Sequence, residues 1–336
     1  MADRTLTINH ADGGSETYTL KTEDVLGVRN MSVDGETVTI DRTAPDLVRT
    51  IIADGQTITI DTTREGVRTL TVDGTEITLD RTEEANLQSF LQEFTGASAA
   101  YSLRDLASSG NTTVVRVRRS SDNAEADFKA SEVSDGTLVA WVGASNDGFV
   151  ETWYDQSGNG NDATQSVAVS QPQIVSSGSF ITRGGASKPS ILLGGALDGR
   201  LDVVGRPIAT SVFSALQASN TNFETLICDT TDNTPRLTTN NNANNRAYKL
   251  VGFGTPSVNV DGVTYDGTSN VSSLGFHLLG MTSGSGEAIN RIGANPSTGS
   301  TGNSFDSVSE LIIYDSDQSS DRSGIEVNIN NQYSIY

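Results

Sequence analysis

Asp155, Ser157 and Asn159, followed at once by Gly160, set three oxygen-bearing side chains at alternate positions of one segment, the spacing with which a calcium loop presents its first ligands. Calcium is the one metal the sequence brings forward. The glutamate such a loop wants at its last position is Ser166 here, and the competing reading is an Asx-rich turn whose side chains satisfy backbone amides. Sugar binding has its own candidates. Trp141 and Tyr154 offer aromatic faces for stacking, whereas Trp153 alternates to the other side of its strand from Tyr154 and reads as core. The asparagine-rich stretch 238–246 reads as a long exposed loop. Its Asn240, Asn242 and Asn244 suit sugar hydroxyls, and a recognition loop and a tolerated insertion both fit it. His10 and His277 are isolated from motif partners, and with one cysteine they form neither a zinc spacing nor a hydrolytic triad. No glycine pattern for nucleotide phosphates occurs.

Elements must position these groups, and the composition bounds what those elements are. A formal charge of −20 over 336 residues argues against nucleic acid and anionic membranes as partners. Cys228 is the single cysteine, so no intrachain disulfide staples the fold, which suits a reducing compartment. Residues 1–20 alternate in polarity and lack a basic-then-apolar leader, and no apolar run is long enough to span a bilayer. The expectation is a protein without signal peptide or transmembrane segment. Thr, Ser, Asn and Asp clusters among 33 glycines suit many short strands joined by polar turns.

An internal repeat fills residues 1–82. Residues 28–43, 48–63 and 67–82 each carry a Val-Arg strand, an Asp-Gly pair and a second Thr-rich strand, and residues 4–22 are a degenerate copy. Each copy reads as a β-hairpin turned at Asp-Gly. A hairpin cannot bury its apolar face alone, so these copies must stack on each other or on other subunits. Leu87, Phe90, Leu91 and Phe94 then fall on one helical face, which predicts a helical joint over 83–96 stopped by Gly96. From residue 97 onward strands resume. Leu138–Val142 and Phe149–Tyr154 flank Asn146-Asp147-Gly148 as a further hairpin, Ser309–Asp315 is a late buried strand, and Ile325, Ile329 and Tyr333 predict a closing helix capped at Ser320 or Asp321.

The run Trp153-Tyr154-Asp155-Gln156-Ser157-Gly158-Asn159-Gly160-Asn161-Asp162, with Ala100–Arg104 and Val114–Asp122 upstream, resembles the catalytic domain of the α-L-arabinofuranosidase B family. That domain belongs to the concanavalin A-like lectin/glucanase superfamily with its laminin-G-like members. The resemblance implies an all-β chain: a β-hairpin repeat module over 1–82, the joint, and a jelly-roll β-sandwich over 97–336. It also implies where a retaining glycosidase would keep its two carboxyl groups. Glu224, in Asn222-Phe223-Glu224-Thr225-Leu226-Ile227, matches the family's nucleophile, although a surface or strand-edge carboxylate is the plainer expectation. The family's proton donor, an Asp after an Ile-Gly-Gly turn, becomes Asn295 in Arg291-Ile292-Gly293-Ala294-Asn295, and an amide cannot deliver that proton. The family's adjacent cysteine pair has no counterpart either. The expectation is therefore adhesion without hydrolysis. A repeat module joined to a lectin-like sandwich resembles bacteriophage tail fibres, tail spikes and capsid-decorating fibres. That build implies attachment to other virion proteins through residues 1–82, a host-surface glycan as ligand, and homo-oligomers, threefold by analogy with fibres. A glycoside hydrolase and a ligand-free decoration protein are the alternatives.

Overall fold

The computed structural model describes residues 89–107, 112–194, 199–218, 224–231, 234–242, 245–250, 252–265, 275–293 and 305–336, together with eight strands between residues 4 and 80. The chain divides into two compact units, residues 1–87 and 88–336.

The described elements of the first unit are strands. β1 (Arg4–Asn9) pairs with β2 (Ser15–Leu20), and β3 (Arg29–Val33), β4 (Glu36–Ile40), β5 (Val48–Ala53) and β6 (Gln56–Asp61) form one antiparallel sheet. β7 (Val67–Val72) pairs with β8 (Thr75–Asp80). Every repeat thus folds as two paired strands, as Thr/aliphatic alternation predicts; the Asp-Gly pairs between them lie outside the described residues.

The second unit is an all-β, jelly-roll-type sandwich. It opens with α1 (Phe90–Glu93) and β9 (Ala97–Ser102). Next come β10 (Thr113–Arg119), β11 (Glu125–Lys129), α2 (Ala130–Ser134), α3 (Thr137–Val142) and β12 (Gly148–Trp153). The short strands β13 (Ala163–Thr164), β14 (Gln173–Ser176), β15 (Ser179–Phe180), β16 (Thr182–Arg183), β17 (Lys188–Pro189) and β18 (Ile191–Leu192) follow. Then come β19 (Arg200–Val203), β20 (Ile208–Gln217), β21 (Thr225–Asp229), β22 (Thr234–Asn242) and β23 (Asn245–Leu250). The chain closes with β24 (Ser257–Val260), β25 (Val263–Tyr265), β26 (Phe276–Ala288), β27 (Arg291–Gly293), β28 (Ser307–Tyr314) and α4 (Arg322–Tyr333).

β12 is the corner from which two layers diverge. One edge pairs with β10. On the other, Thr152 and Trp153 pair with β13 while Gly148 and Phe149 pair with β14. From β13 the antiparallel order runs through β19, β27, β21, β22 and β23. From β14 it runs through β18, β28, β20, β26, β24 and β25, with β9 beside β28. β28 is buried along its whole length because both faces are covered. Leu311 and Ile313 face the sandwich core, while Ile312 and Tyr314 alternate to the side where Ile325, Ile329 and Tyr333 of α4 pack.

Three local expectations change. The helical joint is a single turn, Phe90–Glu93, and Leu87 lies outside the described residues. Phe90 and Phe94, with rings 5.1 Å apart, are buried with α4, and Gly324 leaves the space that Phe94 fills. Leu138–Val142 is helix α3 rather than a strand. Left-handed glycines bracket it (Gly136 φ 86°, Gly143 φ 87°), and burial of Leu138 and Val142, four residues apart, serves one helical face. In the asparagine-rich stretch, residues 238–242 and 245–246 are paired strand and not open loop: Asn240 pairs with Ala247, Asn241 with Arg246 and Asn242 with Asn245 in the β22–β23 ladder, while 243 and 244 lie outside the described residues.

α4 carries one costly contact. Glu326 is 4% exposed, lies over Gly280, accepts from Asn259 Nδ2 at 3.3 Å, and leaves Oε1 without a partner among the described residues. Burial pushes its pKa up, against the hydrogen bond from Asn259 and the charge of Arg322. A carboxyl whose folded pKa is raised binds its proton more tightly when folded, so its contribution is favourable below the unfolded pKa and is lost as pH rises through the folded value. Glu326→Gln is therefore expected to leave the melting temperature unchanged near pH 4 and to raise it by about 3 °C near pH 7. Scanning calorimetry at the two pH values checks it; equal shifts at both would reject the burial argument.

Candidate functional site

The polar residues of the 153–162 run tie the chain to β9. Trp153 is fully buried against Tyr101, with ring centroids 5.5 Å apart, and the Tyr101 hydroxyl donates to the Asn161 carbonyl. Burial, then the charges of Asp155 and Asp162, push the Tyr101 pKa far above its usual value. Asp155 accepts four hydrogen bonds. Oδ1 takes Ala100 N at 2.8 Å and Ser157 N at 2.9 Å; Oδ2 takes Ser157 Oγ at 2.8 Å and Asn161 N at 3.0 Å. Asn159 Nδ2 donates to the Ala97 carbonyl at 2.9 Å, and Asn161 Nδ2 to that of Ser98 at 2.8 Å. These are the contacts of an Asx-rich turn. The donor set does not fit calcium, because protein N–H and O–H groups already point at the lone pairs that Asp155 would give a cation. No cluster of three or more metal-ligating His, Cys, Asp or Glu occurs among the described residues.

Gln156 carries the tie onward. Its Oε1 accepts from Leu106 N at 2.8 Å and its Nε2 donates to the Ser102 and Arg104 carbonyls at 3.0 Å, which fixes the turn after β9. That turn presents Arg104 to Glu310, a fully buried carboxylate on β28. Arg104 grips it with two bonds, Nε at 2.8 Å and Nη2 at 2.7 Å, while Ser102 Oγ donates at 2.7 Å and the Tyr333 hydroxyl at 3.2 Å. Burial alone would lower the Arg104 pKa, but the charge and hydrogen bonds of Glu310 outweigh it and raise it. Burial and the Glu310 charge raise that of Tyr333 well above its usual value.

Arg104 and Tyr333 stand at the floor of a cleft of about 1050 Å³. Its walls come from the 103–105 turn, α2 and α3, residues 178–189 and the end of α4. Asp105 lines it with Oδ1 held by Ala107 N and Thr112 Oγ1, both at 2.9 Å, and with a buried Oδ2 that has no partner among the described residues. Lys188 lines it too, and its side chain makes no hydrogen bond or ion pair with any described residue. Ser131, Ser134 and the half-buried ring of Phe180 complete a surface of hydroxyls, one acceptor, one ammonium and one apolar face. Sequence reading missed this site, because its walls are brought together from four separate stretches of chain.

The sugar candidates named from sequence are not brought together. Trp141 packs edge-on against Phe128, 5.3 Å between centroids, and Arg119 covers its ring at 4.7 Å. The Tyr154 hydroxyl donates instead to Asp127 at 2.8 Å, and burial followed by the Asp127 carboxylate pushes its pKa up to about 12. Asp127 and Phe128 are neighbours on β11 and so face opposite ways, which separates the two aromatics. Asn240 and Asn242 lie on β22, and Asn244 lies outside the described residues. Glu224 is no surface or strand-edge carboxylate: it is fully buried immediately before β21, whose residues are all buried in the core. Asn295 lies outside the described residues.

No family model matches the chain, and no curated protein does. Its likeness is to arabinofuranosidases. A GH54 α-L-arabinofuranosidase mutant soaked with 4-nitrophenyl α-L-arabinofuranoside matches at 14% identity and a TM-score of 0.49, over 70% of this chain and 63% of that one. An arabinofuranosidase complexed with arabinofuranosyl-α-1,2-xylobiose matches at 14% identity and a TM-score of 0.44, over the same shares. The chain thus spans less than two thirds of the length of these proteins.

Proposed function

We propose that residues 88–336 bind carbohydrate in the cleft above Arg104, and that the whole chain is a virion structural protein that displays this domain to a host-surface glycan. The observation carrying the reading is the cleft's chemistry. Asp105 Oδ2, without a partner among the described residues, accepts from a hydroxyl, Lys188 donates to ring or hydroxyl oxygens, and Phe180 offers an apolar face to sugar C–H groups. A hairpin module that forms a unit of its own supports a division between attachment and display. Avidity on a particle compensates a weak single site. No described helix is long and apolar enough to cross a membrane.

Glycan-array screening of the full chain, followed by calorimetric titration of the hits, tests the reading. Asp105→Asn and Lys188→Ala are each expected to weaken binding at least about tenfold while the melting temperature holds. An empty array, or affinity unmoved by both substitutions, would refute it. Antibody labelling of particles tests the virion assignment separately. A second reading, glycoside hydrolysis, is favoured by the full burial of Glu224, since desolvating a carboxylate is costly and such groups recur where chemistry needs them. It predicts 4-nitrophenol release from aryl arabinofuranosides that disappears in Glu224→Gln.

A further inference from the structure

We propose that residues 88–336 carry a second carbohydrate site, in a cavity of about 620 Å³ between the Asx-rich turn and the start of β20. The proposal rests on the reading that this domain handles sugars, but the cavity shares no lining residue with the cleft above Arg104. Its walls come from α1 and the start of β9, the 157–161 turn, the 206–208 link into β20 and the residue after β28. Short polar contacts pin these pieces together. Ser98 Oγ lies 3.2 Å from the Ile208 carbonyl and 3.1 Å from that of Ile313, and Thr210 Oγ1 donates to the Asp315 carbonyl at 3.0 Å. A cavity walled by bonded strands and turns keeps its shape before a ligand arrives.

The polar residues lining this cavity have bonding capacity to spare. Asn159 and Asn161 both spend Nδ2 on carbonyls of β9, which leaves each Oδ1 without a donor among the described residues. Arg206 stands at φ 51°, a left-handed conformation that costs an arginine energy, and its ion pair with the buried Asp229 carboxylate holds it there. That pair takes Nη2 and leaves Nε and Nη1 without partners among the described residues. Asp315 is exposed, its carboxyl bonds to no described residue, and no ion pair joins it to Arg206 although both line the one cavity. A hydroxyl answers all of these groups, since it donates to Asp315 and the asparagine oxygens and accepts from Arg206. Neighbouring hydroxyls of a sugar ring do both at once, while Leu91 and the 43% exposed Ile208 cover ring C–H groups. An anion fits worse. Asp229 already neutralises Arg206, Asp315 repels a negative ligand, and the chain carries a formal charge of −20.

Ligand-detected NMR titration of the full chain with lactose, maltose, cellobiose and sucrose tests this. To silence the cleft, the chain carries Asp105→Asn with Lys188→Ala, and it is expected to keep a saturable site for at least one of the four sugars. Adding Asp315→Ala is expected to weaken that site at least about tenfold while the melting temperature holds. Arg206→Lys keeps a charge beside Asp229 but loses the planar fork of donors, and the same loss is expected. No binding of any of the four sugars, or an affinity unmoved by both further substitutions, overturns the proposal. Failure of the cleft reading gives a different result: the wild type and the chain with the silenced cleft then bind alike, and Asp315→Ala still removes the binding.

Discussion

Arg104→Met is expected to lower the unfolding free energy by about 3–5 kcal/mol, because it leaves the Glu310 carboxylate uncompensated inside the protein. Glu310 has no exposed surface, and its other partners are hydroxyls of Ser102 and Tyr333, which orient a carboxylate but carry no opposing charge. Methionine keeps most of the stem volume of arginine, so the loss reports the charge rather than a cavity. For a unit of this size the change corresponds to about 10 °C in melting temperature. The double substitution Arg104→Met with Glu310→Met removes both charges and is expected to recover most of the loss, since a buried pair adds little over a well-packed apolar one. Urea unfolding of the four chains measures the cycle. A single substitution costing under about 1 kcal/mol would show that Glu310 does not depend on Arg104. The same variant removes the cleft floor, so its glycan binding is expected to fall together with its stability.

Asp155→Ala carries the second large expected effect, a loss of about 2–4 kcal/mol. Four donors lose their acceptor at once, among them the main-chain N–H of the fully buried Ala100. Asp155→Asn keeps the shape and one acceptor oxygen and is expected to lose about half as much. Thermal melts with millimolar calcium and with chelator separate the two readings of this turn. A carboxylate saturated by protein donors predicts superimposable melts for the wild type. A calcium-dependent rise that vanishes in Asp155→Asn would make the turn a metal site after all.

The two substitutions act on one construction. Asp155 and Gln156 hold the 153–162 segment against β9 and the turn after it, and that turn holds Arg104 over Glu310 and Asp105 at the cleft wall. The stretch most recognisable in the sequence thus braces the turn that carries the candidate cleft, and its Ser157, Asn159 and Asn161 also line a separate cavity of about 620 Å³. Its residue types suit that work, because short amide and carboxylate side chains satisfy main-chain groups in tight turns.

Period and punctuation made much of the architecture readable from the chain alone. Alternation marked the repeat strands, the late buried strand read over Ser309–Asp315 is found at Ser307–Tyr314, and four-residue spacing marked the helix carrying Ile325, Ile329 and Tyr333. These signals are local: a strand or helix shows its periodicity among near neighbours. Where the local signal was short, it misled. Leu138–Val142 has the apolar content of a strand but sits between two left-handed glycines as a helix, and Asn240, Asn241, Asn242 and Asn245 pair in a ladder instead of looping out. The rest was written in contacts across the chain. Glu310 meets Arg104 across 206 positions, Asp155 meets Ala100 across 55, and Glu224 is buried by strands whose approach no window around it records. A side chain's neighbours in sequence set its periodicity, but the groups that neutralise, bond or desolvate it arrive through folding, so its chemical environment becomes visible once the layers close.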